Sequence, residues 1–276
     1  MDELTGRIDP AAAGGPDRRD RIRLAPGAAG IERLEAHLHG QAFAPHRHDT
    51  YAIGFTFAGV QTFRFRGQRW NCLPGQCHIL HPDELHDGGA GDGGGFAYRM
   101  VYLDPALVQS ALGGRPLPFV AQPVHDLQAG ATDIWSLDTE LDEVMRTDLV
   151  VSVVKLLMNA DATPIAAAGP LALDGLTRVR ALIAADPSPQ HAMAELERIA
   201  GLDRWTLARQ FRAAFGTSPS RFRTLRRLDR ARRSLAGGAS LADAAATSGF
   251  ADQSHMTRQF KRAYGLTPAR WTATLA

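Results

Sequence analysis

Two groups of side chains, 49 positions apart, carry the chemistry needed to read a nucleic acid. Arg204, Trp205, Ala208, Arg209 and Arg212 form the first; Gln253, Ser254, Thr257, Arg258 and Lys261, with His255 at the edge, form the second. Arginine and lysine reach phosphates. Arginine also bonds guanine edges, glutamine pairs with adenine, and small hydroxyls bond either purine. In both groups the spacing is i, i+1, i+4, i+5, i+8, so each group occupies one face of a helix.

The surrounding sequence supplies those helices twice. Asp203 and Asp252 are placed to cap a helix N-terminus by accepting from orphan backbone N–H groups. Leu207, Phe211 and Phe215 make a buried stripe opposite the polar face, mirrored by Met256, Phe260 and Tyr264. Gly216 and Gly265 fit the left-handed position just past a helix end. Ser218-Pro219 and Thr267-Pro268 are start signals for the next helix. A short helix and a glycine turn, at Gly201 and Gly249, come before each capped helix. The plan is that of two helix-turn-helix units, at about 191–216 and 240–265, joined by a helix over 219–236. That joining helix buries Phe222, Leu225, Leu228, Ala231 and Leu235 and carries seven arginines, of which some are expected on backbone phosphate, with Arg226 a candidate, and most in solvent.

Charge agrees with this division. From Leu171 onward there are 17 Lys+Arg against 8 Asp+Glu, whereas residues 1–170 hold 14 against 21. A basic half suited to a polyanion follows an acidic half. Residues 1–25 lack apolar periodicity and read as a disordered tail. Between about 31 and 102, "YAIGFTF", "QTFRFRG", "CHILH" and "AYRMVYL" are strand-length runs of a barrel or sandwich. Asp104-Pro105 opens a helix, and Asp133–Asn159 has the period of an amphipathic helix that covers the barrel or forms a dimer seam. The expected boundaries are a barrel domain over 26–165, a linker over 166–174 and a DNA-binding domain over 175–276. Cys72 and Cys77 are too few for a disulfide framework or a zinc cluster. The N-terminus has no apolar leader, and no run approaches the ~20 apolar residues of a membrane helix. A cytoplasmic, nucleoid-associated setting without membrane contact is the expectation.

Residues 176–276 resemble the DNA-binding domain of the AraC/XylS family of bacterial transcription regulators. "GFADQSHMTRQFKRAYGLTPARW" is similar to that family's C-terminal signature and "RLDRARRSLA" to its linker helix. His255-Met256 departs from it, since an aromatic pair is usual there. The resemblance implies two recognition helices in successive major grooves of double-stranded DNA, with base contacts at Trp205, Arg209, Gln253, Ser254 and Arg258. It further implies a homodimer, RNA polymerase as a partner, activator function and no enzyme activity.

"GQAFAPHRHDTYAIGFTFAG" resembles the first motif of cupin barrels, and Gly75 through Pro82 to His86 is a looser version of the second. Metal-binding cupins use two histidines, a glutamate and a later histidine. Here His46, His48 and His86 match, but Ala52 occupies the place of the glutamate. AraC-type regulators commonly use such a domain to bind an effector and to dimerise. The fold expected is therefore α+β and multidomain, a cupin-like β-barrel with covering helices followed by an all-α domain. The effector pocket is expected at His46, His48, His86 and Trp70, with Phe55, Phe57, Phe63, Phe65 and Tyr98 as further aromatic candidates whose strand parity decides which face inward. No cofactor is assigned. Two alternatives stay open. One is a metal-dependent cupin enzyme using His46, His48 and His86, fused to a DNA-binding domain. The other is a constitutive DNA binder whose barrel only dimerises. His78 and His81 are given no role.

Overall fold

The computed structural model describes residues 20–91, 93–126, 137, 140–160, 170–188 and 191–275. Its N-terminal half is two facing antiparallel sheets. The first has the order β1 (Arg21–Ala28), β2 (Ile31–Leu38), β9 (Phe96–Leu103), β4 (Tyr51–Gly59), β7 (Gln76–Leu80) and β10 (Val124–Asp126). The second has the order β3 (Phe43–His46), β8 (His86–Ala90), β5 (Gln61–Phe65) and β6 (Gln68–Cys72). Among the described residues the sheets do not join into one hydrogen-bonded ring, so the expected barrel is a two-sheet, cupin-like jelly roll.

Alternation sorts the side chains of the central strands. Ala52 on β4, Leu80 on β7 and Tyr98 and Met100 on β9 turn inward, meeting Phe63 and Phe65 of the opposite sheet. Tyr51, Ile53, Val101 and Leu103 turn outward and are covered by α1 (Pro105–Leu112) and α2 (Glu143–Asn159) through Val108, Leu149, Val153 and Leu157. The covering role expected of the amphipathic stretch is thus filled by α2. Its expected first turns, from Asp133, lie largely outside the described residues, and Asp142 caps the helix at the Met145 N–H, 2.8 Å away.

One boundary differs from expectation. Residues 21–25 belong to β1 rather than to a tail: Arg21 pairs with His37 and Ala25 with Arg33, and Ile22 is buried. The strand has little apolar character of its own, and β2 supplies its hydrogen bonds.

The helical half is α3 (Leu173–Ala185), α4 (Met193–Ala200), α5 (Arg204–Phe215), α6 (Pro219–Ala236), α7 (Leu241–Thr247), α8 (Gln253–Tyr264) and α9 (Pro268–Thr274). Pairs α4–α5 and α7–α8 are the two expected units, and α6 joins them. Each unit has its own apolar core. Leu176, Val179, Leu207, Phe211, Phe215 and Phe222 pack in the first, and Leu228, Ala231, Met256, Phe260 and Trp271 in the second. None of the described helices is long and apolar enough to cross a membrane.

Candidate functional site

The capping signals set both reading helices. The Asp203 carboxylate accepts from the Trp205 and Thr206 N–H groups at 3.0 and 3.1 Å, and Asp252 accepts from the His255 N–H at 2.6 Å. Gly216 and Gly265 end the helices at φ 74° and 71°, conformations that other residues adopt at a cost of about 1–2 kcal/mol. Between cap and glycine, Arg204, Trp205, Arg209 and Arg212 are exposed on α5. On α8, Gln253, Ser254, Arg258 and Lys261 are exposed and Thr257 is half-buried. Trp205 is 72% exposed, an apolar ring held outward with nothing among the described residues covering it. Arg204 is tied to Glu197 at 3.3 Å, and Arg209 donates to the Thr206 hydroxyl at 3.2 Å.

A cavity of about 350 Å³ opens between the two sheets and extends to the helical half. Leu34, Ala52, Phe63, Leu80, Tyr98 and Met100 make its apolar wall. Its other side is built by α6, α8 and α9, through Leu225, Arg226, Arg232, Tyr264 and Trp271. An occupant would touch both halves of the chain.

Three buried histidines face into this cavity. His46 and His86 are directly opposed across β3 and β8, with ring centroids 4.2 Å apart. His48 lies 4.8 Å from His86 and 6.0 Å from His46. All three have the same outer bond. His46 Nδ1 bonds the Ala44 carbonyl at 2.9 Å, His48 Nδ1 the Thr50 carbonyl at 3.0 Å, and His86 Nδ1 the Glu84 carbonyl at 2.9 Å. A carbonyl only accepts, so each Nδ1 carries the proton and each Nε2 keeps its lone pair. Burial holds His46 neutral down to about 4 and His48 to about 3, and pushes His86 well below the usual imidazole value.

Comparison with known proteins follows the same division. The chain matches an AraC-like ligand binding domain over residues 28–148 and a helix-turn-helix domain over 196–274. The chain belongs to the AraC family of transcription regulators. The HTH-type transcriptional regulator YbfI of Bacillus subtilis (strain 168) is 28% identical over 243 residues, 81% of this chain and 88% of YbfI. RipA, an HTH-type transcriptional regulator of Corynebacterium glutamicum, is 35% identical over 94 residues, 34% of this chain and 28% of RipA. ToxT from Vibrio cholerae has the same fold, with a TM-score of 0.64 at 10% identity over 90% of this chain and 99% of ToxT. ToxT solved with an unsaturated fatty acid superposes at a TM-score of 0.66, 13% identical, over 91% of this chain and 97% of ToxT.

In this AraC-family regulator the acidic and basic halves meet. Each histidine of the cluster lies within three residues of a contact to the DNA-binding half. Beside His46, the Ala44 N–H donates to the Gly265 carbonyl at 3.1 Å and the Arg47 N–H to the Arg262 carbonyl at 3.0 Å. Beside His48, Asp49 pairs with Arg226 at 2.8 Å. Ahead of His86, Asp83 pairs with Arg221 at 2.6 Å, lies 3.7 Å from Arg212 and accepts from the Thr217 hydroxyl at 3.2 Å. Glu32 and Arg232 make a further two-pronged pair across the same boundary.

Several expected residues take other places. Trp70 does not line the cavity: it sits opposite Phe63 on β6, the edge strand, and packs against the rim of the core. Of the other aromatic candidates, Phe63 and Tyr98 line the cavity, Phe65 is buried in the core beside it, and Phe55 packs on the outer face with α1 and α2. Phe57 stacks edge-on to His37. Arg226 is not a phosphate contact here, because its guanidinium lies between Asp49 and Asp229 and over the Phe222 ring. His81 is structural: its Nε2 accepts from the Val120 N–H at 2.9 Å on the outer face.

Sequence reading missed His78. It is fully buried, lines the cavity, and among the described residues neither ring nitrogen has a hydrogen-bond partner. Burial alone lowers it to about 4. Gly54 stands opposite it on β4, and a Cβ there would fall 2.1 Å from the imidazole. The signal was the pair of a strand glycine and a cross-strand histidine, which becomes visible only once the register is known.

Proposed function

We propose that an effector in the cavity between the sheets and α6 resets the two reading helices, and so controls operator binding. The single observation that carries this reading is that one cavity is walled by both domains. Ligand occupancy therefore changes contacts that differ between a closed and a released DNA-binding half, which is what shifting a two-state equilibrium requires. The lining favours an effector with an apolar body and one polar group directed at the histidines. A dimerisation-only barrel needs no such cavity. Against the enzyme reading, the position of the cupin glutamate is the buried methyl group of Ala52.

Base contacts are assigned to Trp205, Arg209, Gln253, Ser254, Thr257 and Arg258, and phosphate contacts to Arg204, Arg212 and Lys261. Their outer faces differ between the heads, so each half-site is asymmetric. The regulator acts in the cytoplasm as a homodimer that contacts RNA polymerase. Footprinting upstream of neighbouring genes, with and without their metabolites, tests the reading. A footprint whose affinity changes by tenfold or more with one metabolite, together with a concentration-dependent rise in melting temperature, supports it. An operator affinity insensitive to every metabolite that raises the melting temperature counts against it.

A further inference from the structure

We propose that His46, His48 and His86 form a binding site for a divalent transition metal of the zinc class, with one coordination position open to the cavity. The proposal deepens the sensor reading of the same cavity, and its own test needs neither DNA nor an effector.

The first support is convergence. The three residues are buried, and one ring nitrogen from each lies within 4.8 Å of the others. Because each Nδ1 donates to a carbonyl, the converging atoms are the Nε2 lone pairs. Among the described residues no hydrogen bond engages them. Three acceptors aimed at one point repel each other unless a Lewis acid or a donor sits among them. Zinc–imidazole bonds of about 2.0–2.1 Å would draw the rings together by roughly an ångström.

The second support is the outer bond shared by all three rings. An imidazole that ligates through one nitrogen and donates from the other to a backbone carbonyl has its tautomer and orientation fixed in advance. That pattern holds at three residues on two strands and a loop. Three neutral nitrogens suit zinc, iron(II) or nickel better than magnesium or calcium, which prefer oxygen.

The third is independent of the cluster. His78 is a wholly buried imidazole in the same cavity, and neither of its nitrogens has a partner among the described residues. It can donate to or accept from a ligand held on the metal. Ala52 stands where a cupin carboxylate would be, and among the described residues no carboxylate of the cavity wall joins the three nitrogens, so an outside group fills the fourth position: an anionic oxygen or a nitrogen donor on the effector.

The test uses the full chain stripped with a chelator and titrated with Co(II), whose visible d–d bands report an ordered low-coordinate site. The expected result is one equivalent bound, displaced by Zn(II), with bands that shift when azide is added. Single His46→Gln, His48→Gln and His86→Gln variants should weaken binding by at least tenfold, and His46→Ala with His86→Ala should abolish it. Circular dichroism and melting of the metal-free proteins check the fold, and the glutamine variants carry the test if the double alanine variant does not fold. Wild-type Co(II) affinity no greater than that of the folded variants overturns the site, and bands indifferent to azide overturn the open position. Metal binding that leaves operator affinity unchanged upholds the site and removes its regulatory consequence. An effector response in protein that binds no metal overturns the site while sparing the sensor reading.

Discussion

The first reading head and the corner that leads from it into α6 meet the sensor domain mainly through side chains: Asp83 holds Arg221 of α6 at 2.6 Å, lies 3.7 Å from Arg212 of α5, and accepts from Thr217 between them. One backbone bond, from the Leu117 N–H to the Ala213 carbonyl, accompanies them. The second head meets β3 and the residue that follows it through two backbone bonds, from Ala44 to Gly265 and from Arg47 to Arg262. Charge holds the first head, so it can be released by an ion, a competing phosphate or a substitution. Strand position holds the second, so it moves when β3 moves. His46 is the last residue of β3, and the carbonyl that fixes its ring belongs to Ala44, whose own N–H bonds Gly265. A shift of His46 is therefore transmitted to the second head without an intervening side chain.

The largest expected effect is at that backbone contact. In Gly265→Ala the new Cβ would lie 2.8 Å from both the Ala44 carbonyl oxygen and His46 Nδ1, at a φ of 71°. Left-handed strain of about 1–2 kcal/mol adds to overpacking of about 1–3 kcal/mol, so thermal or denaturant unfolding should lose roughly 2–5 kcal/mol. Gly201 is the control: its φ is 67°, but a Cβ meets nothing within 4 Å. Gly201→Ala should cost only the left-handed strain, about 1–2 kcal/mol. Equal costs for the two variants would mean that the second head does not rest against β3.

Next is the side-chain contact of the first head. Asp83→Asn keeps the shape and removes the charge that holds Arg221 and faces Arg212. Loss of one partner of a largely buried pair should cost about 1–3 kcal/mol, below the 3–5 kcal/mol of a fully buried one because the arginines are partly exposed. With Arg212 freed, DNA affinity should rise and the slope of log K against log salt should steepen by about one. An unchanged slope would mean that Arg212 does not reach phosphate.

The heads were legible in the sequence because every signal they use is local. A cap, a stripe, a glycine and the next N-cap lie within about fifteen residues, and the 49-residue repeat showed them twice. His46, His48 and His86 were legible through motif spacing. What was not legible depends on partners distant in the chain. Asp83 and Arg221 are 138 positions apart, and neither carries a mark of the other. The same holds for Asp49, which pairs with Arg226 at 2.8 Å. Composition offered Trp70 as a pocket aromatic, but it could not show that β6 is the edge strand, from which the ring does not reach the cavity. β1 escaped notice because its sequence is ordinary and its hydrogen bonds come from β2.

Of comparable size, but on specificity rather than stability, are Arg209→Ala and Arg258→Ala. The two arginines hold the same place in the two heads, and both are exposed. Each should lose about 1–3 kcal/mol of discrimination, at opposite ends of the half-site, with unfolding stability unchanged within about 0.5 kcal/mol. Competition between the operator and singly altered operators measures this. If both variants lose preference at the same base pairs, the heads do not read separate sequences.

The smallest expected change in stability separates recognition from scaffold within the first head. Trp205 and Phe211 are both aromatic residues of α5, but one is 72% exposed and the other fully buried. Phe211→Ala would empty the core of the unit and cost about 3–5 kcal/mol. Trp205→Ala removes a ring that none of the described residues covers, so unfolding stability should move by less than about 0.5 kcal/mol. The second head has the polar Ser254 at the corresponding place, so an apolar contact, such as one to a thymine methyl, is available only to the first. Trp205→Ala should therefore weaken discrimination in the first head's half-site by about 1 kcal/mol and leave the second half untouched. A wild-type operator profile in that variant would assign the ring to another surface, such as the RNA polymerase or the second copy of the chain.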